Sequence, residues 1–236
     1  MAGAEPPAPR SGSRGRLGAR RWGRRLGVFL AAAGLLLVVI PGSQIAYGIW
    51  RVNQMTQQWQ REVNNTPQAL SVAPPISDYT GPAAKAPAPK TEAAVKRSYS
   101  LPFPVVFSMK IPKLNYVSAV VQGVNLPQLA VGPGHYVGTM MPGEPGVVGI
   151  AAHNVFWLRF DQLQPGDRII LQTLKGTYTY QVTGTTIVVP SDTSVFDQGP
   201  GYHLTLTTCW PLWAGALATR RFVIFATQIS PAPPSA

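Results

Sequence analysis

The chain of 236 residues contains a single cysteine, and its position favours a reactive thiol. Cys209 ends a run of leucines and threonines and is followed by Trp210-Pro211, so a strand ends there because proline cannot continue a central β-ladder. A side chain at a strand end is accessible to a substrate. A thiol is a strong nucleophile only as the thiolate, which needs a neighbouring base or cation. The alternative is a buried cysteine that packs as a small apolar side chain.

Three histidines are candidates for that base. His153 ends the strand-like run from Gly146, so it also falls at a strand end, where it can act as acid and base. His203 lies six residues before Cys209 on the same predicted strand. In an extended chain that separation is roughly 20 Å, which is too far for proton transfer. His135 lies in a glycine-rich turn, and His153 is therefore the predicted catalytic histidine.

Two arginines, Arg220 and Arg221, open an apolar segment near the end of the chain. Such a pair can be a solvated strand end. Acyl transfer from a peptide to a thiol, however, develops negative charge on the carbonyl oxygen, and a fixed guanidinium binds such an oxyanion. Neighbouring residues of a strand point to opposite faces, so only one arginine can face the thiol. We expect Arg221, which adjoins the apolar segment, and Arg220 is the alternative.

Short β-rich runs separated by glycine and proline must position these residues. Several alternate apolar and polar side chains, which is typical of strands with one packed face and one solvated face. The pattern predicts an all-β fold, a closed barrel or a sandwich, and about 136 residues from Leu101 onward are enough to enclose one core. The predicted strands are Val105 to Ile111, Tyr116 to Gln122, Gly146 to His153, Arg168 to Leu174, Thr177 to Val189, Leu204 to Cys209 and Phe222 to Ile229.

The chain before this β-rich part predicts a membrane anchor. Seven arginines and one acid precede Leu26 to Trp50, a segment of 25 residues without a charge. About 20 residues of helix cross the ~30 Å hydrocarbon layer, and arginines on the N-terminal side favour a cytoplasmic N-terminus. We expect a single-pass helix in the cell membrane, with the rest of the chain outside the cell. The alternative is a cleaved signal peptide, which exports the same residues.

The predicted organisation has four parts: a basic cytoplasmic tail (1–25), a transmembrane helix (26–50), an extracellular stalk and Pro/Ala-rich linker (51–98) and a β-domain (99–236). The β-domain has seven basic and five acidic residues, so its charge is +2, although the whole chain carries +11. A groove for phosphates is not indicated, and no nucleic-acid partner is expected. Acidic residues are isolated, so we expect no metal site and no cofactor.

The run Thr205-Leu206-Thr207-Thr208-Cys209, with Arg221 twelve residues later, resembles the sortase signature, T-L-x-T-C followed by an arginine at the start of the last strand. The blocks Gly132 to Tyr136 and Ala151 to His153 also resemble sortases. The similarity extends over about Met109 to Gln228, nearly the whole β-domain. The pattern of turns and blocks is most similar to the housekeeping-type sortases of classes D and E.

The resemblance implies an eight-stranded β-barrel and a membrane-anchored cysteine transpeptidase. Cys209 would attack the threonine carbonyl of a C-terminal sorting signal of the LPxTG or LAxTG type, His153 would act as acid and base, and Arg221 would stabilise the oxyanion. The implied partners are secreted proteins with that signal and an amine acceptor such as a cell-wall precursor. Thr208 and Trp210, on either side of the thiol, are expected to bind substrate.

Two other functions stay open at the level of the sequence. A membrane-tethered β-domain that binds peptide or wall polymer would keep Cys209 buried and unreactive. A hydrolase would pass the acyl group to water, and because it forms the same acyl-enzyme, the sequence does not distinguish it from a transferase.

Overall fold

The computed structural model describes residues 15–65 and 103–232, with side chains described from Leu26 onward. The second of these segments forms a closed β-barrel. The helices are α1, Gly15–Asn65, and α2, Leu126–Leu129, and the strands are β1, Val105–Ile111, β2, Tyr116–Gln122, β3, Gly134–His135, β4, Gly146–Ala152, β5, Arg168–Gln172, β6, Thr177–Val188, β7, Tyr202–Trp210, and β8, Arg220–Ser230. Their order around the barrel is β1-β2-β3-β4-β7-β8-β6-β5, which confirms the predicted eight-stranded all-β barrel.

The strand that the sequence did not predict is β3. It has two residues, too few for an alternating pattern, and its glycine was expected to form a turn. Position 134 requires glycine, because a Cβ there would clash with the carbonyl oxygen of Gly123. This close approach lets β3 pair with both β2 and β4 and close the barrel.

The strand directions place the predicted site residues at one end of the barrel. β4 is parallel to its neighbour β7, and β8 is antiparallel to β7. β4 and β7 therefore finish where β8 begins, and we call this the Cys209 end. β6 also finishes there, with Val188 opposite Arg221, so the turn between β5 and β6 lies at the opposite end.

A group of aromatic side chains fixes the chain that follows β4. Trp157 stacks on Phe160 with ring centroids 4.5 Å apart, and its Nε1 donates a hydrogen bond to the Tyr116 hydroxyl (3.0 Å). Burial raises the pKa of Tyr116 to about 12. Trp157 and Phe160 are each 1% exposed, so this connection is part of the barrel's core.

The last part of α1 packs on the outside of the barrel, within the compact unit formed by Tyr47–Ala236. Val52, Met55 and Trp59 are buried in the same core cluster as the barrel residues. Their spacing of three and four residues puts them on one side of the helix. The helix thus presents an apolar stripe to the strands, while polar residues such as Asn53 and Gln57 are exposed.

Hydrogen bonds fix this helix on the strands. The backbone N–H of Ala119 donates to the Thr56 hydroxyl (2.8 Å), and Nε1 of Trp59 donates to the carbonyl oxygen of Gln172 (3.3 Å). Nε2 of Gln60 donates to the Ser108 hydroxyl (3.2 Å). We call the outer surface of β1, β2 and β5 around these partners the helix face.

The helix contains the predicted span and the beginning of the predicted stalk. In the part of the chain that the structure describes, α1 is the one helix long and apolar enough to cross a membrane. The stalk and linker were predicted over 51–98. Up to Asn65 this segment is helical and docked on the barrel, and residues 66–98 lie outside the described residues.

Candidate active site

Cys209 is the next to last residue of β7, where strand alternation determines its surroundings. Leu204 and Leu206 belong to the core inside the barrel, so by alternation Thr205, Thr207 and Cys209 lie on the outer surface of β7. We call this outer surface of β4 and β7, with Gly149, the thiol face. Cys209 is half-buried there.

Arg221 lies directly opposite Cys209 on β8. Its Nη1 donates a hydrogen bond to Sγ of Cys209 (3.3 Å). Arg220 pairs instead with Trp210 and is exposed. The structure therefore places the guanidinium of Arg221, and not that of Arg220, against the sulfur.

His153 follows the neighbouring strand β4 at the level of Cys209. The parallel register pairs Ala152 of β4 with Thr208 of β7, so the next residue along each strand brings His153 beside Cys209. The pKa of His153 is lowered, first by partial burial and second by the positive charge of Arg221. Both effects disfavour the imidazolium, so the ring is held neutral near neutral pH and can accept a proton.

The structure adds a wall to this site that the sequence did not single out. The Tyr136 hydroxyl and the Thr207 hydroxyl are hydrogen-bonded (3.0 Å), and the Tyr136 ring packs edge-on against Phe196 with centroids 4.8 Å apart. Gly149 makes room for both rings, because a Cβ there would lie 2.9 Å from Phe196 and 3.1 Å from Tyr136. Tyr136 was visible in the sequence only as part of the glycine-rich block from Gly132.

The thiol face is thus a strip in which a cysteine, a histidine and an arginine converge from three strands beside an aromatic wall. This strip can form and resolve an acyl-thiol, because it combines a nucleophile, a proton carrier and a fixed cation.

Comparison with known proteins decides the family. Residues 109–229 match the sortase domain family, which is more than half of the chain. The chain belongs to the sortase family. It is therefore a sortase-type transpeptidase, and the membership predicted from the T-L-x-T-C run is confirmed.

Two related sortases bear names that agree with the predicted classes D and E. Sortase D of Bacillus subtilis (strain 168) is 27% identical over 205 residues, which are 86% of this chain and 97% of that protein. Sortase SrtE1 of Streptomyces coelicolor is 32% identical over 123 residues, 44% of this chain and 35% of that protein. The structure of Sortase A from Corynebacterium diphtheriae has a TM-score of 0.51 at 25% identity, covering 56% of this chain and 64% of that one. The barrel is thus the sortase fold.

Thr208 and Trp210 were predicted to bind substrate in the sortase groove. Thr208 is 3% exposed, and its hydroxyl donates to the carbonyl oxygen of Ala152 (2.9 Å). This hydrogen bond connects β7 to Ala152 of β4, the residue that precedes His153. Trp210 is half-buried and packs against Phe222 with centroids 5.4 Å apart. For both residues a contact with substrate stays a prediction.

The other two histidines of this sortase have separate surroundings. His135 is 2% exposed and is hydrogen-bonded to the Gln122 side chain (3.1 Å) and the Met140 carbonyl oxygen (3.0 Å). Burial lowers its pKa. His203 is the second residue of β7, far along the strand from Cys209, and contacts the Pro200 carbonyl oxygen (3.1 Å). His153 is thus the histidine that lies beside the thiol.

Within residues 15–65 and 103–232, no group of three His, Cys, Asp or Glu side chains is arranged to hold a metal ion. Beside the thiol lie the guanidinium of Arg221, opposite on β8, and His153, which follows the adjacent strand β4.

Proposed function

We propose that this sortase uses Cys209 to cleave a C-terminal sorting signal of the LPxTG or LAxTG type and transfers the protein to an amine at the cell surface. The observation that supports it most directly is the hydrogen bond from Nη1 of Arg221 to Sγ of Cys209, with His153 at the end of the adjacent strand. A nucleophile, a cation and a proton carrier are what acyl transfer to a thiol requires.

In the first half of the reaction, Nε2 or Nδ1 of His153 accepts the thiol proton and Sγ attacks the threonine carbonyl of the signal. A C–S bond forms, and negative charge develops on the carbonyl oxygen, which the guanidinium of Arg221 stabilises. The C–N bond then breaks, and His153 returns its proton to the leaving amine. The product is a thioacyl-enzyme and a released peptide.

In the second half, an amine attacks the thioester carbon. A C–N bond forms, His153 accepts the amine's proton, the C–S bond breaks, and His153 returns that proton to the thiolate of Cys209. Arg221 stabilises the same oxyanion position in both halves. The amine acceptor that we propose in the cell is a cell-wall precursor. Its nitrogen must reach the thiol face.

We further propose that residues 26–50 anchor the sortase in the cell membrane, with the N-terminus in the cytoplasm and the barrel outside. Support comes from the uncharged segment within α1 and from the seven arginines before it.

Intact-mass measurement tests the proposed reaction. The chain from Tyr47 onward, which is one compact unit, is incubated with a panel of LPxTG and LAxTG peptides, and Cys209→Ala is the matched control. We expect a mass increase equal to the acyl fragment, present only with Cys209, and one motif to be preferred. An alkylating reagent that fails to label Cys209 in the native protein would contradict the proposed role of this thiol as the nucleophile.

Transfer and hydrolysis are separated in the same assay by an added amine. With a glycine-based acceptor, a transferase joins the acyl fragment to the acceptor in preference to water. If the free acid remains the main product at saturating acceptor, the sortase acts as a hydrolase on that pair of substrates.

A further inference from the structure

The docked helix enters the compact unit beside the Cys209 end of the barrel. Gly48 is buried there, and a Cβ at this position would lie 2.5 Å from the carbonyl oxygen of Ala130 and 3.4 Å from Cζ of Phe156. Phe156 belongs to the 3-10 turn Asn154–Phe156, which directly follows His153. The chain therefore passes within one short turn of the active-site histidine.

The residues around Gly48 have the composition of a membrane boundary. The rings of Tyr47 and Trp50 are about half exposed. The Arg51 guanidinium lies over both, 5.3 and 5.4 Å from their centroids, and its Nε donates to the Tyr47 hydroxyl (2.7 Å). Aromatic rings and arginine are enriched where a spanning helix leaves the bilayer. Given the proposed anchor, the membrane surface lies at the level of Tyr47 to Arg51.

Large apolar side chains are exposed on the connections at the same end of the barrel. Leu158, two residues after Phe156, is 57% exposed, and Trp213 and Leu217 are each 83% exposed. The last two belong to the 3-10 segment Leu212–Leu217 between β7 and β8, which contacts the turn Asn154–Phe156. Single exposed apolar residues are common, but three on adjoining connections beside a membrane boundary indicate contact with an apolar phase.

We propose that Leu158, Trp213 and Leu217, together called the lipid rim, rest in the headgroup region of the membrane. Tryptophan and leucine on the edge of a domain favour this interface, because their apolar parts leave water while the backbone stays hydrated. The proposal rests on the proposed membrane anchor and does not depend on the catalytic roles of the site residues.

The lipid rim would hold the thiol close to the bilayer. Cys209 is the next to last residue of β7, and the segment with Trp213 and Leu217 begins three residues after Cys209. A substrate or acceptor that is itself held in the membrane then reaches Sγ of Cys209 without leaving the surface.

Spin-label accessibility tests the proposal in the full chain. With Cys209→Ala as background, single cysteines are introduced as Leu158→Cys, Trp213→Cys and Leu217→Cys, nitroxide-labelled, and placed in lipid nanodiscs. Collisions with oxygen, which concentrates in lipid, are compared with collisions with a water-soluble nickel chelate. Leu174→Cys is the matched control, since Leu174 is also an exposed leucine, 45% exposed, in the turn between β5 and β6 at the opposite end.

We expect the ratio of oxygen to nickel accessibility to be severalfold higher at the three lipid-rim positions than at position 174. Equal ratios at all four positions overturn the proposal. Labels shielded from both reagents also overturn it, because they indicate a protein partner or a second copy of the chain on this surface. Trp50→Cys tests the proposed membrane anchor separately. If a label at position 50 collides with the nickel chelate as freely as the label at position 174, the anchor proposal is wrong. The lipid-rim proposal, which rests on it, is then wrong as well.

Discussion

The helix face and the thiol face are both outer surfaces of the barrel that carry small residues, and different elements cover them. On the helix face, α1 lies over Ser108 and Ala119 and bonds to both strands. On the thiol face, the connection before β7 covers Thr205, whose hydroxyl donates to Val195, while Cys209 stays half-buried. The comparison shows that the alternation of a strand places a residue on the outer surface. The element that covers this surface then determines whether the residue is packed or left open to a substrate.

The largest expected effect is the loss of stability when the main apolar contact of the helix face is removed. Trp59→Ala deletes a side chain that is 4% exposed, so we expect the free energy of unfolding to fall by about 3–5 kcal/mol. Denaturant unfolding of the chain from Tyr47 measures it, while kcat of the folded enzyme stays unchanged. Gln58→Ala, on the exposed side of the same helix, is the control and should cost less than about 0.5 kcal/mol. Equal stability of the two variants would mean that the helix does not support the barrel.

The corresponding substitution on the thiol face is expected to lower kcat/KM and to leave the free energy of unfolding unchanged. Arg221→Met removes the guanidinium that contacts Cys209, and we expect kcat/KM for a sorting-signal peptide to fall about 10²–10³-fold, since the proposed oxyanion ligand is lost. Arg220→Met, which alters the exposed neighbour, should change kcat/KM by no more than about twofold. Comparable losses in both variants would assign the effect to charge in general and not to this contact.

A smaller effect tests the hydrogen bonds of the helix face. Thr56→Val keeps the shape of the side chain but removes the oxygen that accepts from the Ala119 N–H, which is left unpaired at a cost of about 1–3 kcal/mol. Thr56→Ser keeps the oxygen and is the control. Thermal unfolding should separate the two variants, and a valine variant as stable as the serine variant would show that water replaces the lost acceptor.

The smallest effect concerns the protonation of the thiol face. Since the charge of Arg221 lowers the pKa of His153, Arg221→Met should raise that pKa, although burial still keeps it below the usual value. NMR titration of the imidazole measures it without relying on activity, and Arg220→Met should leave it unchanged. In the native enzyme the protonated ring cannot accept the thiol proton. Because the pKa of His153 is lowered, we expect activity to persist at about pH 6.5, the ordinary histidine pKa, and to be lost only on further acidification.

Much of the thiol face could be predicted from the sequence, because strand ends leave local marks. Proline after Cys209, a histidine after a glycine-containing apolar run and an arginine opening the last apolar run each appear in the sequence. Alternation allowed at most one of the two arginines to face the thiol, and the register identifies Arg221 as that residue. Tyr136 could not be found in this way, since its contact with Thr207 depends on the path of the connection after β3.

The helix face was harder to predict because its signal is divided between distant segments. Val52, Met55 and Trp59 recur among asparagines and glutamines at helical spacing, so an apolar stripe can be recognised in the sequence. What the stripe packs against depends on Ser108, Ala119 and Gln172, which lie far along the chain and carry no mark of a helix partner. In addition, the Pro/Ala-rich composition after Asn65 favoured the interpretation of residues 51–98 as a stalk and linker, and not as a segment that begins with a helix docked on the barrel.

The docking of α1 determines how a soluble form of this enzyme should be prepared. A fragment that starts after the Pro/Ala-rich linker lacks Val52, Met55 and Trp59 and leaves bare the strand surface they cover. Such a fragment would expose backbone and apolar groups to water and to other copies of itself, which favours aggregation in storage. A cut before Tyr47 keeps the whole folded unit, so that position, and not the linker, is where the anchor should be removed to obtain a reagent enzyme.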